Sequence, residues 1–262
     1  CSSPSRGCHL VMVKIIDMTS EPESGRPIDA RTRASYEVER SFYEHGHWRV
    51  LCESGASCPR ALHIDRAPAH GHRESLLICM TRLDGRVVKK MNEAQTGAAL
   101  RWLARLHASY WGSRADEAVA GGLQPQGCFW NLDAREEDLA WLPKEGFEGR
   151  LAKAARGIDL RLKADRHQTI CHGDAKPENM FFSPDGGVSL CDFQYIGKAP
   201  PGKDLAYCLL STSGSLDEGR LKRYLDTYLQ ELGLQLREKD ERVPSEQELH
   251  RMYGLCMCDL AR

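Results

Sequence analysis

The sequence has no apolar run of the length a membrane-spanning helix needs, no excess of charge of either sign, no Cys-x-x-Cys pair and no internal repeat. Each absence closes a class of function. A spanning helix takes about 20 consecutive apolar residues, so a membrane-embedded protein is not expected. Thirty-six Lys and Arg against 37 Asp and Glu leave a net charge of −1. That balance gives no basic footprint for a nucleic-acid or anionic-membrane partner. Eleven cysteines, an odd number without Cys-x-x-Cys spacing, fit neither a disulfide framework nor a zinc site. Most stand in apolar surroundings (Cys79 in LLICM, Cys171 in TICHG, Cys191 in SLCDF, Cys208 in AYCLL), as reduced thiols buried in a cytoplasmic protein do. His63, His70 and His72 lack supporting cysteines and fall in a Pro/Ala/Gly-rich stretch, which reads as a solvated loop rather than a metal site. No secretory signal is legible, and the chain opens on Cys1 rather than Met, so a start upstream of residue 1 is expected.

What the sequence does hold is concentrated in residues 170–207, ICHGDAKPENMFFSPDGGVSLCDFQYIGKAPPGKDLAY. Met180-Phe181-Phe182 and Val188-Ser189-Leu190 are short β-prone runs, and Ser183-Pro184-Asp185-Gly186-Gly187 between them supplies turn chemistry. A hairpin here folds Asn179 and Asp192 back to one mouth, with Asp174 on the loop feeding its first strand. Two oxygen ligands beside a carboxylate suit a Mg²⁺–nucleotide site next to a hydroxyl-activating base. The order Asp, Asn five residues on, then Asp-Phe on the following strand is also that of the phosphoryl-transfer loop of kinases. Any one of the three alone is better explained as a turn, a strand cap or a surface carboxylate.

Upstream, residues 9–16 (HLVMVKII) form a β-branched run broken only by Lys14. Such a lysine is ordinarily an edge or snorkelling residue; the alternative is a lysine that reaches nucleotide phosphates and pairs with a helix glutamate. A Gly/Pro/Ser-rich loop at 19–27 leads to an amphipathic helix over 30–44, with Tyr36, Val38, Phe42 and Tyr43 on its apolar side. Its Glu39 is the first candidate partner for Lys14 and Glu37 the second. Strands are expected at 48–52 and 75–81, a linker at 82–85, and a helix over 92–111 ended by Gly112. Residues 112–135 read as irregular. A helical stretch over 136–163, interrupted near Pro143 and Gly146, leads to a strand at 167–171. After a loop at 197–203, Asp204 opens a helix from the N-cap position. Further helices are expected at 216–232 and 245–260.

These residues resemble the aminoglycoside phosphotransferase and choline kinase-like superfamily, closest to its ecdysteroid kinase-like (CHK kinase-like) branch. The resemblance is carried by VKII, YEVERSFYEHG, LRWLARLHASYWG, CHGDAKPENMFF and LCDFQYIGKAPPGKDLAYCL. It implies an α+β, two-lobed protein-kinase-like fold. A small β-sheet lobe, residues 1–82, lacks its first strands; a larger, mainly helical lobe spans 83–262 and binds the acceptor. It also implies roles. Asp174 is the catalytic base; Lys176, two residues on, reaches the γ-phosphate or simply faces solvent; Asn179 and Asp192 are Mg²⁺ ligands. Lys14, positioned by Glu39, contacts phosphate, and the backbone from Met80 to Leu83 holds the adenine edge of ATP. His172 and Asp204 are structural supports. The implied partner is a small-molecule hydroxyl acceptor taken by a cytoplasmic monomer, in a pocket drawing on Trp111, Phe129, Trp130 and Trp141 or with these as ordinary core. One departure stands out: only Gly7 precedes Lys14 where a Gly-rich phosphate loop is expected. Two rival readings follow, a Ser/Thr protein kinase and a catalytically inactive kinase-shaped binding module. Against the first stand Gly173 and Gln194 in the motif and the absence of an Ala-Pro-Glu segment.

Overall fold

The computed structural model describes residues 10–19, 29–69 and 73–262. Gly7, His70, His72 and most of the 19–27 loop lie outside them. Strands β1 (Val11–Asp17), β2 (Ala61–Ala69) and β3 (Arg73–Thr81) form an antiparallel sheet in the order β1-β3-β2. Side chains alternate across a strand, so Lys14 and Ile16 of β1 share the face that looks toward helix α1 (Ala30–Glu44), with Ile16 buried. Asp29 caps α1 by accepting from the Thr32 N–H. Val38, Phe42 and Tyr43 fill its core face.

Two expectations in this half are corrected. Residues 48–52 are not a strand but lie in helix α2 (His47–Glu53), entered through Gly46 at φ +77°. A strand would bury Trp48, Val50 and Cys52 together. Instead Trp48 and Leu51, three apart, face the core while Val50 and Cys52 are exposed. That is helical spacing. The stretch containing His63 is not a loop but β2, because pairing with β3 decides where local propensity is weak. His63 lies opposite Cys79 there.

The rest of the chain is mainly helical. α3 (Glu93–Ser109) starts at a capping box between Asn92 and Gln95. It is buried on several sides at Leu100, Leu103, Leu106 and His107, which makes it the central helix. α8 (Glu218–Arg237), α7 (Gly202–Leu209) and β4 (Thr169–Cys171) pack around it. Residues 112–135 are not irregular throughout: they hold α4 (Ser113–Ala120) and the single turn α5 (Leu132–Arg135). α4 buries only Ala115 and Ala118, side chains too small to mark a period. Gly112, expected to end α3, is the N-cap position of α4 at φ +65°. A 3-10 turn (Glu136–Trp141) and α6 (Gly146–Lys163) then reach β4, followed by β5 (Met180–Phe182), β6 (Val188–Leu190) and β7 (Gly197–Ala199). β7, within the expected 197–203 loop, pairs antiparallel with β4. α9 (Glu246–Leu260) closes the described chain on α6 and α7. A small antiparallel sheet and a mainly helical remainder make the α+β arrangement expected.

Candidate active site

β5 and β6 pair as a hairpin, with Met180 opposite Leu190 and Phe182 opposite Val188. Its turn is closed by the Ser183 N–H donating to the Gly187 carbonyl, with Gly186 at φ +87°. The two ends therefore meet: the Cys191 N–H donates to the Asn179 carbonyl at 3.1 Å. Asp192 follows at φ +68°, a left-handed conformation uncommon outside glycine. Asp174 lies on the loop after β4, and Asn179 Nδ2 donates to its Oδ2 at 3.0 Å and to its carbonyl at 2.9 Å. Lys176 Nζ stands 2.7 Å from the same Oδ2.

Lys14 reaches this mouth from the sheet. Its Nζ donates to Glu39 Oε2 at 2.6 Å and to Asp192 Oδ1 at 3.2 Å. The second candidate partner, Glu37, instead pairs with Arg40 and Arg66. Burial pulls the Lys14 amine down, but Glu39 and Asp192 outweigh it and hold its pKa above the ordinary value. Burial pushes the Glu39 carboxyl up in spite of Lys14, as expected at 1% exposure. For Lys176 the Asp174 carboxylate overcomes burial and raises the pKa.

The loop carrying Asp174 is fixed from behind. The fully buried Asp204 carboxylate accepts from the His172 N–H (2.7 Å) and the Gly173 N–H (2.9 Å), and His107 Nε2 stands at 3.1 Å. This corrects the N-cap expectation. Pro201 holds that position, and Asp204 spends its oxygens on a distant loop rather than on its own helix. His107 is held in turn by the Tyr228 hydroxyl at 2.8 Å. His172 Nε2 donates to the Cys191 carbonyl (3.1 Å) and its Nδ1 accepts from the Asp174 N–H (3.3 Å), so one ring ties both halves of the motif together. Gly173 sits at φ +85°, where an added Cβ would meet the Tyr195 carbonyl oxygen at 2.2 Å; only glycine fits that turn.

Between the sheet and the hairpin opens a cleft of about 320 Å³. Lys14, Glu39, Met80, Leu83, Phe181 and Asp192 are among the residues that line it. Of the sequence-predicted residues, Lys14, Glu39, Met80, Leu83 and Asp192 line this cleft; Asp174, Lys176 and Asn179 form a second group at the hairpin mouth, joined to it through the Cys191–Asn179 backbone bond, with His172 and Asp204 behind. Sequence reasoning missed Phe181 as a cleft wall and the stack of Phe42 on Phe193, whose rings lie 3.9 Å apart. Phe42, one helical turn from Glu39, carried a signal: the pair shares the face of α1 that meets the motif. Of the four aromatics considered for an acceptor pocket, Trp111 is core and Trp141 is 87% exposed. Phe129 and Trp130 lie near the site but already carry guanidinium groups, Arg31 over Phe129 (4.3 Å) and Arg135 over Trp130 (4.2 Å). Tyr207 shares a small pocket with Trp130, and burial together with the nearby Asp174 carboxylate pushes its hydroxyl's pKa up.

The donor set suits a hard divalent cation. Asn179 uses its Nδ2 for Asp174, and among the described residues no donor engages its Oδ1. The Asp192 carboxylate faces the cleft and is about one-third exposed. Oxygen donors of this kind are what Mg²⁺ takes from protein, alongside water and phosphate.

The profile of the phosphotransferase enzyme family (APH) matches residues 28–241. The chain belongs to that family. The match begins after Lys14, so the lysine's place in the site rests on its contacts alone. Solved structures share the fold. Aminoglycoside phosphotransferase APH(3″)-Id of Streptomyces rimosus, solved with ADP and streptomycin, is 17% identical over 95% of this chain and 86% of that one, at a TM-score of 0.51. A Ralstonia eutropha protein assigned to the aminoglycoside phosphotransferases is 14% identical over 98% and 93%, at 0.53. Amicoumacin kinase hAmiN, solved with AMP-PNP, Ca²⁺ and amicoumacin, is 14% identical over 96% and 81%, at 0.50. No curated protein matches the sequence. Among the described residues no helix is long and apolar enough to cross a membrane.

Proposed function

We propose that this phosphotransferase moves the γ-phosphate of ATP to a hydroxyl of a small molecule. One observation carries the reading: Lys14, Glu39 and Asp192 meet by side-chain contact at one cleft, and Asp174 and Asn179 are bonded to each other at the mouth of the hairpin that carries Asp192. Phosphoryl transfer asks mainly for positioning and charge neutralisation. Asp174 accepts the proton of the acceptor hydroxyl, its carboxylate oriented by Asn179 Nδ2. Lys14, held by the buried Glu39, meets the phosphates. Lys176, which neutralises Asp174 in this state, is placed to turn to the γ-phosphate once an acceptor occupies the carboxylate. Mg²⁺ held by Asn179 and Asp192 supplies the positive charge that offsets the phosphates. The Met80–Leu83 backbone takes the adenine edge, with the boundary between the nucleotide lobe and the acceptor lobe at residues 82 and 83. His172 and Asp204 support the loop from beneath.

A small acceptor is favoured over a peptide. Only residues 193–201 separate Asp192 from α7, leaving little chain to dock a polypeptide. The nucleotide, divalent cation and small molecules bound in the Streptomyces rimosus and amicoumacin kinase structures support the same reading. Unpaired cysteines suit a reducing cytoplasm, where we place a monomer. The test is ADP release with Mg²⁺-ATP across steroids, choline-like amines, aminoglycosides and sugars, with a peptide array alongside. One small-molecule class is expected to raise ADP release at least tenfold with no label on peptides. Label on peptides would support the protein kinase. Thermal stabilisation by Mg²⁺-ATP without turnover on any acceptor would support the inactive module.

A further inference from the structure

Cys52 lies one residue before the end of α2, and Cys58 follows after a tight turn at 53–57. Cys58 Sγ lies 3.7 Å from the carbonyl of Trp48, one helical turn before Cys52, so Cys58 packs against the turn of α2 that carries Cys52, with the Arg60 guanidinium nearby. Cys52 is exposed and Cys58 is buried. The Cys58 hydrogen bond brings the Cys52 thiol down to about 6, while the same contact and burial push Cys58 well up. Cys128 and Cys171 also share a contact, but both are buried away from solvent.

The loop between the two sulfurs is fastened to the nucleotide cleft. The Ser57 carbonyl accepts from the Leu190 N–H (3.2 Å) and from Trp102 Nε1 (2.8 Å), and Ser57 Oγ bonds Ser189 Oγ at 2.8 Å. Leu190 and Ser189 belong to β6, which leads two residues later to Asp192. On the other side Pro59 lines the cleft, and the Arg60 carbonyl accepts from the Thr81 N–H at 2.9 Å.

We propose that Cys52 and Cys58 form a peroxide-responsive dithiol whose closure to a disulfide displaces the Ser57–Pro59 segment at the wall of the nucleotide cleft. The exposed Cys52 thiolate attacks a hydroperoxide: an S–O bond forms, the O–O bond breaks, and the leaving oxygen departs as water or an alcohol. Cys58 then attacks the Cys52 sulfur, the S–S bond forms, the S–O bond breaks, and the hydroxyl leaves as water with the Cys58 proton. Two thiols and one peroxide give one disulfide. Closure draws the sulfurs to about 2.05 Å, shorter than any non-bonded approach of two sulfurs. The loop must follow.

The test uses the full chain with hydrogen peroxide as the probe, and none of its readouts needs ATP, so its failure is distinct from failure of the kinase reading. Peptide mapping is expected to show a Cys52–Cys58 bond, two hydrogens lighter and reversed by dithiothreitol. Cys58→Ser is expected to leave a sulfenic acid on Cys52 that dimedone tags. Hydrogen exchange at the Leu190 amide is expected to rise at least fivefold in the oxidised protein. Cys52→Ser, at an exposed position, is expected to keep the fold and abolish both effects. Peroxide chemistry at other cysteines with none at Cys52, or a disulfide that leaves Leu190 exchange unchanged, overturns the proposal.

Discussion

Asp174→Asn lowers turnover by about 10²–10⁴-fold, the range typical of a lost general base, and leaves Mg²⁺-ATP affinity nearly intact. The substitution keeps the shape of a buried side chain, so Asn179 Nδ2 still finds an oxygen to which it can donate. What disappears is the proton acceptor and the charge that faces Lys176 across 2.7 Å. Of the groups proposed to hold the nucleotide and its metal, Lys14 and Asp192 do not bond Asp174, and the bond from Asn179 survives the substitution, so the loss is expected to fall on kcat. Steady-state ADP release gives the rate, and calorimetry the affinity. Turnover equal to that of the unaltered protein removes Asp174 from the chemistry.

Asp204→Ala is the most damaging single change expected for stability. It strips partners from two backbone N–H groups and from His107 Nε2, all inside a region closed to water. Charge-assisted bonds of this kind contribute about 1.5–3 kcal/mol each. Losses within one network are not additive, so about 3–5 kcal/mol in total is expected. At roughly 2–4 °C per kcal/mol for a chain of this size, the thermal midpoint falls by about 6–20 °C. The pH dependence has a defined sign. Burial pushes the Asp204 carboxyl up, but the His107 bond, the neighbouring His107 and His172 rings and the Gly173 N–H outweigh it and hold the folded pKa below the ordinary value. Its stabilisation is therefore complete above the ordinary carboxylate range and is lost as pH falls through the lowered folded value. The gap between the two proteins is widest near neutrality and narrows in strong acid. A midpoint within 2 °C of the unaltered protein at pH 7 contradicts the support role.

The site was legible because its signals are local. Ser-Pro-Asp-Gly-Gly dictates a turn, the turn dictates the hairpin, and the hairpin fixes Asn179 against Asp192 without any knowledge of the rest of the fold. The Lys14–Glu39 pairing, 25 residues apart, could be read only as a preference between two glutamates, since one turn of α1 offers both. The elements misread were those settled by tertiary contact. β2 holds a single β-branched residue, Ile64, and exists through its register with β3. The apolar run at 48–52 has strand composition, yet its burial follows the helical spacing of Trp48 and Leu51. Asp204 carried the clearest lesson: an acidic residue in a first turn satisfies a cap pattern locally, while its carboxylate belongs to the loop beneath Asp174.

The most direct measurement is calorimetric titration of ATP into the protein and into Asp192→Ala, with and without MgCl₂. If Asn179 and Asp192 clasp one cation at the hairpin mouth, Mg²⁺ tightens ATP binding at least tenfold in the unaltered chain. That gain vanishes in Asp192→Ala, and the metal-free affinity changes little. An identical Mg²⁺-dependent gain in both proteins contradicts it.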